Sequence, residues 1–83
     1  MAVRAIVQVR LKQGVLDPQG KAIEAALASL GFAGIDSVRQ GKLIEIELNE
    51  TDPEAAREAA RRMADALLAN PVIETYSVEL AEE

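Results

Sequence analysis

The 83-residue sequence has no cysteine, no histidine and no tryptophan, and Phe32 and Tyr76 are its only aromatic residues. Each absence removes a class of function. Without cysteine there is no disulfide framework, no thiolate nucleophile and no Cys-ligated metal site. Without histidine the usual general base near neutral pH is missing, and so is the commonest metal ligand. Tyr76 alone cannot form the stacking platform on which sheet-faced RNA binders hold unpaired bases. Positive charge is also in deficit. Nine Lys and Arg stand against fourteen Asp and Glu, for a net charge of −5, whereas nucleic-acid binding needs a basic footprint. No apolar run approaches the ~20 residues that span a bilayer. The opening Met1-Ala2-Val3-Arg4-Ala5 has no basic stretch followed by a long apolar one, so no signal peptide is expected. The chain is expected to be soluble and cytoplasmic, with no nucleic-acid or membrane partner.

What is present is small and aliphatic. Hydrophobic residues make up 49% of the chain, and fifteen of them are alanine. A single domain over residues 1–83 is all this length allows. A domain of this size buries only about 60% of the surface its unfolded chain exposes. With disulfides and Cys or His metal ligands unavailable, oligomerisation is the remaining common support.

The pattern along the chain alternates between strand and helix periods. From Val3 to Lys12, side chains of period two (Val3, Ala5, Val7, Val9, Leu11 on one side) predict a half-buried strand. Asp17-Pro18 predicts a helix start, with the Asp as cap and the Pro at the first helical position. Ile23, Ala26, Leu27 and Leu30 follow at helical spacing, and Gly31 supplies the left-handed stop. A second extended region runs from Ile35 to Leu48, interrupted at Gln40-Gly41. It reads either as a hairpin or as one bent strand with a bulge at Gly41. Asp52-Pro53 repeats the helix opening, with Ala56, Ala59, Ala60, Met63 and Leu67 as its apolar stripe and Asn70-Pro71 as its end. A last strand, Val72 to Leu80, places Tyr76, Val78 and Leu80 on one face.

The expected fold is therefore α+β: a two-layer sandwich of an antiparallel sheet with two helices on one face. The order is β-α-β(β)-α-β, ferredoxin-like or a variant of it. The other sheet face then carries Arg4, Gln8, Arg10, Glu45, Glu47, Thr75, Ser77 and Glu79, with Ile6, Leu43 and Ile73 interrupting the polarity. Glu45 and Glu47 read as cross-strand partners of Arg4 and Arg10 rather than as a catalytic acid pair. Along the second helix, Glu58 with Arg61 and Arg62 has the spacing of surface ion pairs. Thr51 and Ser29 read as local backbone partners. The one exposed basic turn is Arg39-Gln40-Gly41-Lys42. No catalytic, cofactor-binding or metal-ligating residue is assigned.

Three segments together carry a resemblance. They are Leu11 to Ala22 (LKQGVLDPQGKA), Val38 to Lys42 (VRQGK) and Leu67 to Glu74 (LLANPVIE). In this order and spacing they resemble the PurS family, the small subunit of phosphoribosylformylglycinamidine synthase in purine biosynthesis, over about Val3 to Leu80. The resemblance implies a non-catalytic subunit that forms a homodimer or tetramer. It also implies that the subunit joins the large synthase subunit to the glutaminase subunit and assists ammonia transfer between them. ATP and Mg are then expected on the large subunit and no cofactor on this chain. The resemblance hands over no contact residues. Asp17, Lys21, Arg39, Gly41 and Lys42 are the candidates for subunit contact, being the motif residues least needed for a core. A second reading is an ACT-like regulatory domain binding a small molecule near Gly14 and Asp17. An acylphosphatase ranks last, because Arg39 and Asn70 fall at the wrong places for its phosphate loop.

Overall fold

The computed structural model describes residues 3–82. Three strands form one antiparallel sheet in the order β2-β1-β3, with β1 Val3–Leu11, β2 Lys42–Leu48 and β3 Glu74–Glu82. The first strand is central. Val3 faces Leu48 and Val9 faces Lys42 on one side, while Val3 faces Glu82 and Leu11 faces Glu74 on the other. The helices are α1 Pro18–Ser29 and α2 Pro53–Met63, and α2 continues into a π-turn at Ala64–Leu68. The β-α-β-α-β order is the α+β, ferredoxin-like arrangement expected from the sequence.

Both Asp-Pro pairs open helices. Asp17 accepts a hydrogen bond from the Gly20 amide, Asp52 accepts one from the Glu54 amide, and a proline follows each cap. At the end of α1, Gly31 lies at φ +96°. The Phe32 amide donates to the Leu27 carbonyl and the Gly31 amide to the Ala28 carbonyl, which is the Schellman closure.

The core is thin. Among the described residues, the buried apolar residues are all alanine or valine: Val3, Ala5, Val7 and Val9 from the sheet, then Ala56, Ala60, Ala64 and Ala69. The four-residue spacing of Ala56, Ala60 and Ala64 lines one face of α2, and their methyl groups allow the helix to lie close over β1 and β3. Tyr76, Val78 and Leu80 pack against this cluster as expected. The expected stripe of α2 changes beyond Ala60. Met63 is partly exposed and Leu67 largely so, while Leu68 and Ala69 turn inward. The cause is the π-turn, in which the Ala69 amide donates to the Ala64 carbonyl five residues back. One extra residue in the turn resets the helical phase.

Two features depart further from the sequence reading. Residues 33–41 contain no strand, so the chain at Gly41 is neither a hairpin nor one long bent strand. The Gln40 amide, which a ladder would have used, donates instead to Asp17 Oδ2 at 2.7 Å. The second departure concerns α1, which makes only slight contact with the sheet and with α2, so the covering helix is chiefly α2. The molecule measures 48 × 29 × 15 Å with a radius of gyration of 16.2 Å, against about 12 Å for a compact chain of this length. Helix α1 and its return segment form an arm.

Candidate assembly site at the root of the arm

The arm joins the sheet where the chain leaves β1 and where it re-enters at β2. The leaving connection turns through Gly14 at φ +85°. The returning one passes Gly41, whose Cα lies so near β1 that a Cβ there would sit 2.7 Å from the Val9 carbonyl oxygen. Only glycine lets the chain approach β1 this closely before pairing begins at Lys42.

Side chains tie the two connections together. Asp17 is buried, and both carboxylate oxygens are used. Oδ1 accepts from the Gly20 amide at 2.8 Å and Oδ2 from the Gln40 amide at 2.7 Å. Arg39 works in the opposite sense. Its Nη1 donates to the Val15 carbonyl at 3.0 Å and its Nη2 to the Lys12 carbonyl at 3.1 Å. One acid and one base from the two connections thus each bind the backbone of the other. The amide hydrogen bonds from Gln40 and Gly20, aided by the Arg39 charge and the Gln19 amide and opposed by burial, hold the Asp17 carboxyl below the usual carboxylate range.

The residues expected at subunit contacts thus have distinct placements. Asp17, Arg39, Gly41 and Lys42 come together at the root of the arm. Lys21 lies one turn along α1, exposed, with its Nζ 3.7 Å from Glu24. Lys42 opens β2, and its Nζ reaches Glu74 at 3.9 Å. Asp17 and Arg39 are engaged inside the chain, whereas the ammonium groups of Lys21 and Lys42 remain mostly exposed. An open groove of about 590 Å³ runs beside Asp17 and Lys42, with Val9, Leu11, Val15, Leu16 and Ile73 in its apolar lining. Sequence reasoning missed the part played by Gly20. A Cβ on it would run into the Val38 carbonyl oxygen and lie 2.8 Å from Asp17 Oδ2. The signal was available, because glycine in the first turn of a helix costs up to ~1 kcal/mol relative to alanine and calls for a reason.

Elsewhere several polar groups pair with their neighbours. On the open sheet face Arg4 reaches Glu45 at 3.6 Å and Glu47 at 3.7 Å, the expected cross-strand pairing. Arg10 donates to Gln8 on the same strand. On α2 the observed pair is Arg57 with Glu54. The Tyr76 hydroxyl donates to Asp65 Oδ1 at 3.0 Å and toward the Arg61 carbonyl at 3.4 Å, fastening the end of α2 to β3. Burial, then this hydrogen bond and the Asp65 charge, push the Tyr76 hydroxyl above its ordinary pKa. Among the described residues no helix is long and apolar enough to cross a membrane.

These features define a class: a small ferredoxin-like α+β domain whose polar side chains brace its own loops while several of its larger apolar residues face outward. The comparisons make the class specific. Residues 4–82 match the PurS family, described as phosphoribosylformylglycinamidine (FGAM) synthase, and the chain belongs to that family. It is 48% identical over 77 residues to the phosphoribosylformylglycinamidine synthase subunit PurS of Mycobacterium leprae, covering 90% of this chain and 91% of the relative. Thermus thermophilus PurS superposes with a TM-score of 0.88 at 43% identity, covering 100% of this chain and 99% of that one. A chain in the structure of PurLQS from Thermotoga maritima superposes with a TM-score of 0.88 at 30% identity, covering 98% and 99%. This match over the whole described chain favours the synthase-subunit reading over an ACT-like regulatory domain.

Proposed function

We propose that the chain, a single domain over residues 1–83, is the non-catalytic PurS subunit of a phosphoribosylformylglycinamidine synthase complex in the cytoplasm. There it joins the large synthase subunit to the glutaminase subunit and assists ammonia transfer. It self-associates as a homodimer or tetramer. ATP and Mg act on the large subunit, and this chain carries no cofactor of its own. The observation that carries the reading is its end-to-end likeness to a chain in a structure of PurLQS. The side-chain chemistry agrees, because the acids and bases described above serve loop bracing and surface pairing.

The root of the arm supplies the contacts. Asp17, Gly41 and Arg39 set the backbone there, while Lys21 and Lys42 present the exposed charges. Co-purification with the large and glutaminase subunits, in Mg-nucleotide and glutamine, tests this. The wild-type chain is expected to bring down both. Lys21→Glu with Lys42→Glu is expected to recover at most about a tenth as much, since reversed rim charges act through repulsion as well as lost attraction. Glutamine-dependent turnover that needs no PurS chain would refute the function. Normal assembly of the double variant would refute the contact residues alone.

A further inference from the structure

We infer that the Arg10 end of the open sheet face is a docking surface for a segment of a partner synthase subunit that carries at least two carboxylates. The inference rests on the reading that the chain joins those subunits, and adds the chemistry by which one of them is recognised.

The strand register divides the open face into two ends of opposite character. Along β1 this face shows Arg4, Ile6, Gln8 and Arg10, the residues that alternate with the buried Val3, Ala5, Val7 and Val9. At the near end, Arg4 stands opposite Glu47, and Ile6 lies between Glu45 and Glu79. Arg4 is there held by two carboxylates, those of Glu45 and Glu47. At the far end the register places Gln8 between Leu43 and Ser77, and Arg10 opposite Thr75. Among the described residues Arg10 has no ion pair, and its guanidinium donates to the neutral Gln8 side chain at 3.1 Å.

The surface around Arg10 is built from donors. An open groove of about 520 Å³ on its β2 side is lined by Arg10, Arg39, Gln40 and Lys42, with Leu43, 59% exposed, as an apolar wall. A smaller hollow of about 160 Å³ on its β3 side is lined by Gln8, Arg10, Thr75, Tyr76 and Ser77. Neither is lined by an aspartate or a glutamate, although the chain as a whole carries a net charge of −5. Arg39 is partly offset by the buried Asp17, and Lys42 by Glu74 at 3.9 Å. Arg10 is offset by no acid.

Size and shape select the ligand. Adjacent strands lie about 4.8 Å apart, so donors running from the β2 side across Arg10 to β3 span about 10 Å, more than a single oxyanion bridges. The surface is also open, with Arg10, Thr75 and Ser77 exposed, whereas a small ligand is held in a cleft that buries most of it. An acidic segment of a larger partner meets both conditions. Its carboxylates pair with the Arg10 guanidinium and accept from the Thr75 and Ser77 hydroxyls, while Leu43 supplies apolar contact.

The test uses the full chain with the purified large and glutaminase subunits. Binding to each is measured for wild type, Arg10→Gln, Ser77→Glu and Arg4→Gln. Arg10→Gln and Arg4→Gln remove the same charge from the same face, at points about 20 Å apart. Arg10→Gln and Ser77→Glu are expected to bind one of the two subunits roughly tenfold more weakly or worse, as for a lost hydrogen bond between charged groups, with thermal unfolding unchanged. Arg4→Gln is expected to stay within about twofold of wild type, as a surface pair remote from the contact does. Arg10→Lys keeps the charge and supplies an amine. With a carbodiimide it is expected to form an amide between position 10 and an Asp or Glu of the same subunit, located by mass spectrometry. A wild-type chain that binds neither subunit overturns the joining role and this inference with it. Normal binding by Arg10→Gln, or equal weakening by Arg10→Gln and Arg4→Gln, overturns this inference alone. So does a position-10 cross-link that is absent or reaches only a second copy. Inorganic phosphate that binds the isolated chain at micromolar concentration, and is lost in Arg10→Gln, also overturns it, since the site then takes a free oxyanion.

Discussion

Enlarging Ala60 should destabilise the fold more than any change of equal size on the outer face of the same helix. Ala56, Ala60 and Ala64 are fully buried, and so are Ala5 and Val7 among the sheet residues of the same core cluster. The methyl of Ala60 thus occupies the space between α2 and the sheet, and Leu in its place would add three carbons to a fully buried position. Overpacking of this kind costs about 1–3 kcal/mol. At ~0.05–0.15 kcal/mol per residue, a chain of this length has about 4–12 kcal/mol in total, so the loss is a large fraction of it. Urea unfolding followed by circular dichroism, at one fixed protein concentration so that any self-association contributes equally, measures it. With a urea slope near ~1 kcal/mol per molar for a domain this small, Ala60→Leu should lower the midpoint by roughly 1–3 M. Ala55→Leu, on the exposed side of α2, should stay within about 0.5 kcal/mol of wild type. An Ala60→Leu protein as stable as Ala55→Leu would refute the claim that alanine sets the distance between α2 and the sheet.

Two further outcomes follow from the titrating groups. The Asp17 carboxyl is lowered in the folded chain, so its stabilising effect is fully present above its unfolded pKa of ~3.9 and is lost as pH falls through the lower folded value. The stability difference between wild type and Asp17→Asn should therefore be flat above about pH 5 and shrink below about pH 4, read by urea midpoints across pH. Tyr76 is raised instead, so its contribution is complete below about pH 10 and fades as pH rises through the folded value. Tyr76→Phe should cost about 0.5–1.5 kcal/mol at neutral pH and should remove that alkaline loss, followed by thermal unfolding across pH.

The local parts of the fold were legible because local chemistry decides them. Alternation marked β1, the Asp-Pro pairs marked both helix starts, and Gly31 marked the end of α1, each through backbone preferences acting within a few residues. The reading of residues 35–41 as extended and paired failed for a different reason. A carboxylate 23 positions earlier captures the Gln40 amide, and no periodicity in that segment reports on Asp17. The phase of α2 beyond Ala60 was lost because a π-turn leaves the apolar spacing of the sequence unchanged while altering which side of the helix faces in. Of the candidate site, Asp17, Lys21, Arg39, Gly41 and Lys42 stood out in the family-like segments. That four of them meet at the root of the arm was not legible, because it depends on how two connections 23 positions apart in sequence fold together. Nor was the inward use of Arg39 on two backbone carbonyls, because a basic turn around a glycine looks the same in sequence whether its cations face solvent or the chain.

The distribution of apolar mass explains how so small a chain can be chemically plain and still specific. Its largest fully buried side chains are Val7 and Val9, and alanine fills most of the remaining core. Leu16, Leu30, Phe32, Leu67 and Val72, which a self-sufficient domain would bury, are each more than half exposed. Each side chain of this size is worth about 1.5–3 kcal/mol when withdrawn from water, so folding of the single chain leaves that gain unrealised. A clamp of one acid and one arginine is then well matched to its setting. It uses backbone groups that must be satisfied in any case, it adds no exposed reactive side chain, and it turns a flexible loop pair into a fixed direction for the apolar arm. The direction in which the exposed apolar surface of the arm points is set by Asp17, Gly20 and Arg39, which lie in the first two of the three sequence segments.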